Sequence, residues 1–428
     1  MKKIYSRLSV QNSLAQDCLI AGVFEEVNAE FKEFLKKGEI APKPLMVCSG
    51  GTSSRCAASG YWTLDLRKKH QQIEFDHKNK TVEIGGGINM ASLLNKLSKN
   101  NRSFPTGLSG LPGVGYILTG GISPLSRSQG LGIDQILRIE GVWGKGEYFK
   151  ISKPTISSRS KDHLLWRGLC GAAPFFGIVT KLMLKTQPLT RLTVWEASIR
   201  KEQLIEAIHQ AEVWPNSLSL QWIWGYKVNI YVVTANDNKL TNVALKKLQK
   251  DFPGSESLQI SEASSLKDIP SFTLQVPDKK IQVKIHSEVV SLLAPPWAES
   301  GPQIINCLAN LLSKRPNENC YIAAQQLGGI SSQISRTKTS FIHRKAIWKI
   351  WITASWCAED LKGREESLSW LKEVWIFLEP HCPGVHLAQM HQHLSWHKKE
   401  TKKAFEEWLP GLQDLKSKYD PQGILPRL

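Results

Sequence analysis

The chain of 428 residues contains no fixed-period repeat and no low-complexity tract, which argues against solenoid and fibrous architectures and against a disordered scaffold. It also lacks an uninterrupted apolar run long enough to cross a bilayer, so no membrane span is expected. The first residues, MKKIYSRLSVQNSLAQDCLIAG, have a cationic start but neither the continuous apolar centre nor the small-residue cleavage site of a secretory signal. Cys18, Cys48, Cys56, Cys170, Cys307, Cys320, Cys357 and Cys382 form no CxxC pair and no Cys/His spacing suited to zinc. They read as small core residues, with no metal, and the simplest expectation is a reduced, cytoplasmic protein.

Acidic residues are also scarce: 38 Asp and Glu face 55 Lys and Arg, a formal charge of +17. Such a balance raises the question of a nucleic-acid partner. The basic residues are scattered, however, with Arg67-Lys68-Lys69 the nearest thing to a patch, and no recognition helix or aromatic-basic RNA motif accompanies them. The pattern reads as a solvated basic surface that attracts anionic substrates or partners, without nucleic acid.

Hydrophobic residues make up 41% of the chain, and there are 15 Trp. That much apolar surface offsets the entropy of ordering two folded domains. The most informative stretch is Phe104 to Ser123, FPTGLSGLPGVGYILTGGIS, which holds eight glycines or prolines in twenty residues. Glycine permits close backbone approach and normally costs stability, so this cluster points to a cofactor or phosphate cradle, with turns and bulges as the alternative. A second cluster, Ser49-Gly50-Gly51-Thr52-Ser53-Ser54, lies upstream.

Periodicity predicts an amphipathic helix through Phe24, Val27, Phe31, Phe34 and Leu35, a strand at 45–47 running into the SGGTSS loop, strands at 62–66 and 81–84, a helix at 90–99, and a hairpin of 136–143 with 148–151. Beyond Gln187-Pro188 the glycines thin out. Strand patterns at 192–199, 218–224, 228–234, 281–289, 321–327 and 347–356 alternate with helical patterns at 202–213, 240–252, 303–312 and 361–377, and a last helix is expected over 402–419. An α+β fold follows, with an antiparallel sheet covered by helices on one face.

These motifs together resemble the flavoproteins of p-cresol methylhydroxylase (PCMH) type, and among them the berberine bridge enzyme-like oxidoreductases. The resemblance rests on SGGTSS at 49–54, GGG at 85–87, FPTG at 104–107, GVGYILTGGIS at 113–123, GLGID at 130–134 and FFGIVT at 175–180, in that order. In the second half, Gln326-Leu327-Gly328-Gly329, His343-Arg344, Leu415-Lys416 and Tyr419-Asp420-Pro421 match further family features. The resemblance implies an FAD-binding domain over 1–188, a substrate domain over 189–397, and a C-terminal segment, 398–428, that returns to the first domain.

It further implies that Ser49, Gly50, Gly51, Thr52, Ser53 and Ser54 face the FAD pyrophosphate, and that Gly107, Gly113, Val114 and Gly115 pass along the flavin. Thr119, Gly120, Gly121 and Ser123 would add polar contacts, and Gly177, Ile178 and Val179 would approach the adenine or ribose, with Ser109 and Asp134 completing the set. Many relatives tether FAD through a His in the first loop and a Cys near FPxG; here those positions hold Thr52 and Ser109, so FAD is expected to be non-covalent. The family's usual catalytic motif near the C-terminus is replaced by His386 to His393. Read as a strand, this segment puts Gln389, His391 and His393 on one wall, either solvent-facing or serving a base that takes a proton while hydride passes to flavin N5.

Glu288, Tyr226, Tyr231 and His343-Arg344 are further pocket candidates, and Trp222, Trp224, Trp348, Trp351 and Trp356 fit either an aromatic substrate or a large core. The expected activity is FAD-dependent oxidation of a small-molecule alcohol, amine or related C-H donor, with oxygen or another electron acceptor. A flavin-binding protein without turnover is the alternative.

Overall fold

The computed structural model describes residues 3–8, 15–52, 56–107, 110–235, 239–251, 259–263, 285–297, 300–388 and 392–428. In the first half a small parallel sheet is ordered Gly22–Phe24, Trp62–Asp65, Met46–Cys48. Beside it stands a five-stranded antiparallel sheet, ordered Tyr148–Ser152, Ile136–Trp143, Gly177–Lys185, Thr81–Gly85, Ile73–Asp76. Val82, Ile84, Ile139, Leu182 and Leu184 are fully buried in it, and each contributes roughly 1.5–3 kcal/mol relative to exposure.

The first helix spans Ala29–Lys37 and begins later than the periodicity of Phe24 and Val27 suggests. Asn28 sets the start, because its side-chain oxygen accepts from Phe31 N at 2.9 Å, and Phe24 lies on a strand. The helix Ser160–Ala172 escapes the sequence reading altogether. Its buried side carries Gly168 and Gly171, the latter at φ +124°, so the apolar pattern breaks where Leu415 and Ser340 press against it.

The second half is an eight-stranded antiparallel sheet. Its order is Gln259–Ala263, Leu192–Ile199, Val228–Thr234, Leu218–Trp224, Tyr321–Gln326, Trp348–Cys357, Ile285–Ala294, Gly384–Val385. The helices Lys201–Glu212, Gly301–Ser313 and Leu361–Leu378 cover one face. Strand alternation sorts the central residues: Ile322, Ala324, Ile350, Ile352 and Ala354 are fully buried, whereas Tyr321, Gln325, Lys349, Trp351 and Thr353 turn to the opposite face and line a cavity against the first half.

Two polar clamps join the halves. Arg127 donates to the carbonyls of Leu218, Leu327 and Trp214 at 2.7, 2.8 and 2.8 Å, and Arg344 forms a two-point ion pair with Asp134.

The expected helix over 402–419 is two helices, His397–Phe405 and Leu409–Tyr419. Glu406, at φ +43°, ends the first, and Pro410, which has no N-H to donate, sits in the opening turn of the second. Asp420 then accepts from Ile424 N and Leu425 N at 2.9 and 3.0 Å, and Leu45 N donates to Ile424 O at 2.8 Å. The tail is thereby fixed beside the strand that leads into the first glycine loop. Among the described residues no helix is long and apolar enough to cross a membrane, and no three His, Cys, Asp or Glu side chains are grouped to hold a metal ion. Cys48, Cys56, Cys170, Cys320 and Cys382 are buried, Cys307 is half-buried and Cys357 is exposed.

Candidate active site

The strand Met46–Cys48 delivers the first glycine loop to one side of a cavity of about 630 Å³. There Ser49 Oγ donates to Gly86 O at 2.6 Å, and Gly51 adopts φ +75°. Gly50 and Gly113 are pressed backbone to backbone: a Cβ on either would lie well inside contact distance of the other's main-chain nitrogen. These two glycines therefore serve loop-to-loop packing. Gly115 differs, since a Cβ there would meet no protein atom within 4 Å; its bare backbone faces open cavity.

Ser49, Gly50, Gly51, Thr52, Gly107, Gly113, Val114, Gly115, Thr119, Gly177, Ile178 and Val179 all line this one cavity. Four expected contacts do not. Gly120 leaves room for a neighbour, because a Cβ on it would lie 2.9 Å from His386 Nε2. Gly121, at φ +68°, packs on Gly132. Ser123 is fully buried in a turn, its Oγ accepting from Leu125 N at 3.0 Å. Asp134 is turned to Arg344, so its carboxylate joins the two halves and does not line the cavity. Ser53, Ser54 and Ser109 lie outside the described residues.

Of the strand expected at 386–393, residues 386–388 carry no strand structure; the pairing with the sheet is made by Gly384–Val385 just before them. Gln389 and His391 fall outside the described residues. His393 lines the cavity from a turn; its side chain is 18% exposed and its Nε2 is 2.6 Å from Glu288 Oε2. Of the other candidates, Tyr226 is exposed, Tyr231 is buried in the sheet, and Arg344 pins the halves together.

The sheet wall supplies groups that the sequence reading did not select. Lys349, on Trp348–Cys357, is buried, with Nζ 3.5 Å from the Tyr116 hydroxyl and 5.4 and 5.0 Å from the Tyr116 and Trp351 ring centres. Burial pulls its amine down to about 8. Burial pushes the Tyr116 hydroxyl far up, so it stays neutral, donating to Ile122 O at 3.0 Å.

His386 is fully buried 5.7 Å from the Tyr116 ring centre. Neither of its nitrogens has a well-formed hydrogen bond. Burial, then the nearby Lys349 charge, holds it well below the usual histidine range, with the Thr119 backbone acting weakly the other way. Gln325 and Thr353 complete the wall. The available signal was the strand WKIWITASWC: Lys349, Trp351 and Thr353 form the polar-side register opposite Ile350 and Ile352.

Comparison with known proteins shows what this arrangement is similar to. An FAD-binding domain model matches residues 20–152. An uncharacterized FAD-linked oxidoreductase of Bacillus subtilis, YgaK, is 21% identical over 83% of this chain and 78% of its own. Berberine bridge enzyme-like 14 of Arabidopsis thaliana is 25% identical over 72% of this chain and 62% of its own. The structure of BBE-like 1 from Physcomitrella patens superposes with a TM-score of 0.78 at 18% identity, covering 97% of this chain and 92% of that one.

Residues 20–152 match an FAD-binding domain, and the chain as a whole is similar to the berberine bridge enzyme-like FAD-linked oxidoreductases of PCMH type. It is an FAD-binding enzyme, an oxidase or dehydrogenase. The residues present suit that cofactor. The cavity volume is within the roughly 300–1,000 Å³ of cofactor and small-molecule sites. One side is bare glycine backbone, Lys43 and Arg427 line it, and among the described residues no Asp or Glu does. An anionic pyrophosphate therefore meets cations and no like charge among the described residues.

Proposed function

We propose that this enzyme oxidises an alcohol, amine or related C-H donor at the sheet wall of the cavity, with FAD held there by contacts alone. Ser49 to Thr52 and Gly113 to Gly115 would hold the pyrophosphate and flavin through main-chain groups, helped by the charges of Lys43 and Arg427. Gly107, Thr119, Gly177, Ile178 and Val179 would border the remainder. Bound FAD supplies the hydride acceptor for the donor's C-H bond. His393 accepts the accompanying O-H or N-H proton, leaving a C=O or C=N product. Glu288, 2.6 Å from its Nε2, orients the ring and stabilises the resulting imidazolium. Tyr116, kept neutral by burial, orients the donor.

The reading is carried by one observation: bare glycine backbone and a polar sheet stripe bound the same cavity. Thr52 lines it at the loop position where relatives carry a tethering His, and neither Thr52 nor Ser109 forms a histidyl or cysteinyl bond to flavin. The test has two parts. Acid precipitation should release all yellow colour to the supernatant, and colour retained on the pellet refutes non-covalent binding. Anaerobic mixing with a panel of alcohols and amines should bleach the visible flavin band, and air should restore it with peroxide if oxygen is the acceptor. A band that no donor bleaches refutes the oxidation.

A further inference from the structure

The sheet wall carries more polar groups than its own hydrogen bonds satisfy. Gln325 and Lys349 are register partners on adjacent strands, and Thr353 stands four residues further along the strand, on the lysine's face. They are 0%, 8% and 3% exposed, and all three line the cavity. Neither polar atom of the Gln325 side chain has a partner, nor has Thr353 Oγ1. Lys349 has one, the Tyr116 hydroxyl, at the 3.5 Å outer limit of a hydrogen bond. Buried donors left in this state are unfavourable unless something else completes them.

The charge narrows what that is. An ammonium buried without a counter-ion is costly, and no carboxylate among the described residues lines the cavity. A cationic amine at this wall would find no counter-ion and the like charge of Lys349. A carboxylate would accept from Lys349 Nζ and Gln325 Nε2, while Gln325 Oε1, and Thr353 Oγ1 further along the wall, remain for hydroxyls of the same molecule. Trp351 and Tyr321, on the same strands, supply flat apolar surface beside it.

We propose that Lys349 and Gln325 form a subsite for the carboxylate of the substrate, with Thr353 further along the same wall, so that the donor oxidised is a carboxylate-bearing alcohol. This rests on reading the cavity as the oxidation site. The groups facing Lys349 that titrate are Tyr116 and His386, while Ser291 and Gln325 on the neighbouring strands do not. Burial drives Tyr116 up and His386 down, leaving Lys349 as the one of the three that changes charge between pH 7 and 9.

The test is calorimetric titration of the FAD-loaded protein with two matched pairs, mandelate against 1-phenylethane-1,2-diol and glucuronate against glucose. At pH 7 at least one carboxylate should bind ten or more times tighter than its neutral partner. Which pair discriminates tells an aromatic hydroxy acid from a sugar acid. That affinity should fall about tenfold by pH 9, with proton uptake on binding measured in buffers of different ionisation heat. Lys349→Met should abolish the discrimination and Lys349→Arg should keep it. If Lys349→Met does not load FAD, the pH series and Gln325→Leu, with a smaller loss, decide the matter.

Carboxylates that bind no tighter than the neutral probes, or with no pH dependence, overturn the subsite, as does unchanged discrimination in a folded Lys349→Met protein. Bleaching by neutral alcohols without carboxylate preference removes the subsite and leaves the oxidation standing. Carboxylate binding with no bleaching by any donor does the reverse.

Discussion

Arg344 and Asp134 are 210 positions apart and meet in a two-point ion pair, Nη1 to Oδ2 at 2.8 Å and Nη2 to Oδ1 at 2.9 Å. Their side chains are 2% and 10% exposed, and Arg344 also donates to Thr339 Oγ1 and Phe341 O. Removing one partner of such a pair leaves a buried charge uncompensated. Asp134→Ala should therefore lower stability to urea by about 3–5 kcal/mol, a far larger effect than loss of the exposed Lys36–Glu33 pair. An unfolding midpoint that does not move would show that the clamp contributes nothing.

Lys349 makes stability depend on pH in the direction opposite to a salt bridge. Its folded value, about 8, lies below its ordinary 10.5, so the unfolded chain binds more protons between those values. The burial penalty, about 3 kcal/mol from the shift, is full below pH 8 and fades as pH rises towards 10.5. Lys349→Met, similar in volume and uncharged, should be more stable than the parent below pH 8 and should lose that advantage by pH 10. Unfolding curves of both proteins at pH 7, 8.5 and 10, without substrate, measure it.

The glycines divide into two kinds that alanine separates. Gly50→Ala forces two loops apart, and should cost about 1–3 kcal/mol of stability. Gly115→Ala meets no protein atom and sits in the helix Val114–Leu118, so the fold should be intact or slightly firmer. Its methyl group occupies cavity space, however, and FAD affinity should drop about tenfold or more, roughly 1.4 kcal/mol. Thermal midpoints together with flavin content per protein distinguish the two; equal behaviour of both variants would refute the division.

His393→Ala should slow bleaching of the flavin by a substrate about 10²–10⁴-fold, and Glu288→Gln by less, since it keeps a hydrogen bond while removing the charge. Stopped-flow bleaching across pH gives the measurement. An unchanged rate and pH profile in His393→Ala would remove that residue from the chemistry.

The second-half strands Leu192–Ile199, Leu218–Trp224 and Val228–Thr234 were legible to the residue because each alternates and is bounded by turn signals. The glycine loops were legible as a cradle, but their reasons were not. Gly50, Gly113 and Gly120 are bare for the sake of each other and of His386, partners far away in sequence. Asp134 looked like part of a cofactor motif, and only tertiary structure shows it turned to Arg344. The strand pattern read from residue 386 onwards does not hold at 386–388, because sheet pairing stops at Gly384 and Val385. Lys349 was hidden by its own surroundings: one lysine among Trp and Ile gives no sign of a site until the sheet is found to have a second, polar wall facing the cavity.

Residues 425 to 427 line the same cavity as residues 43 to 52, and Lys43 Nζ bonds Gln422 O at 2.6 Å across 379 positions. A ribosome emitting this chain finishes the first glycine loop long before the residues that brace it exist. The cradle therefore closes only after synthesis has passed position 427, which makes its completion a late step governed by one very long-range closure. Nascent chains carrying the whole matched FAD-binding region, 20–152, would still be colourless.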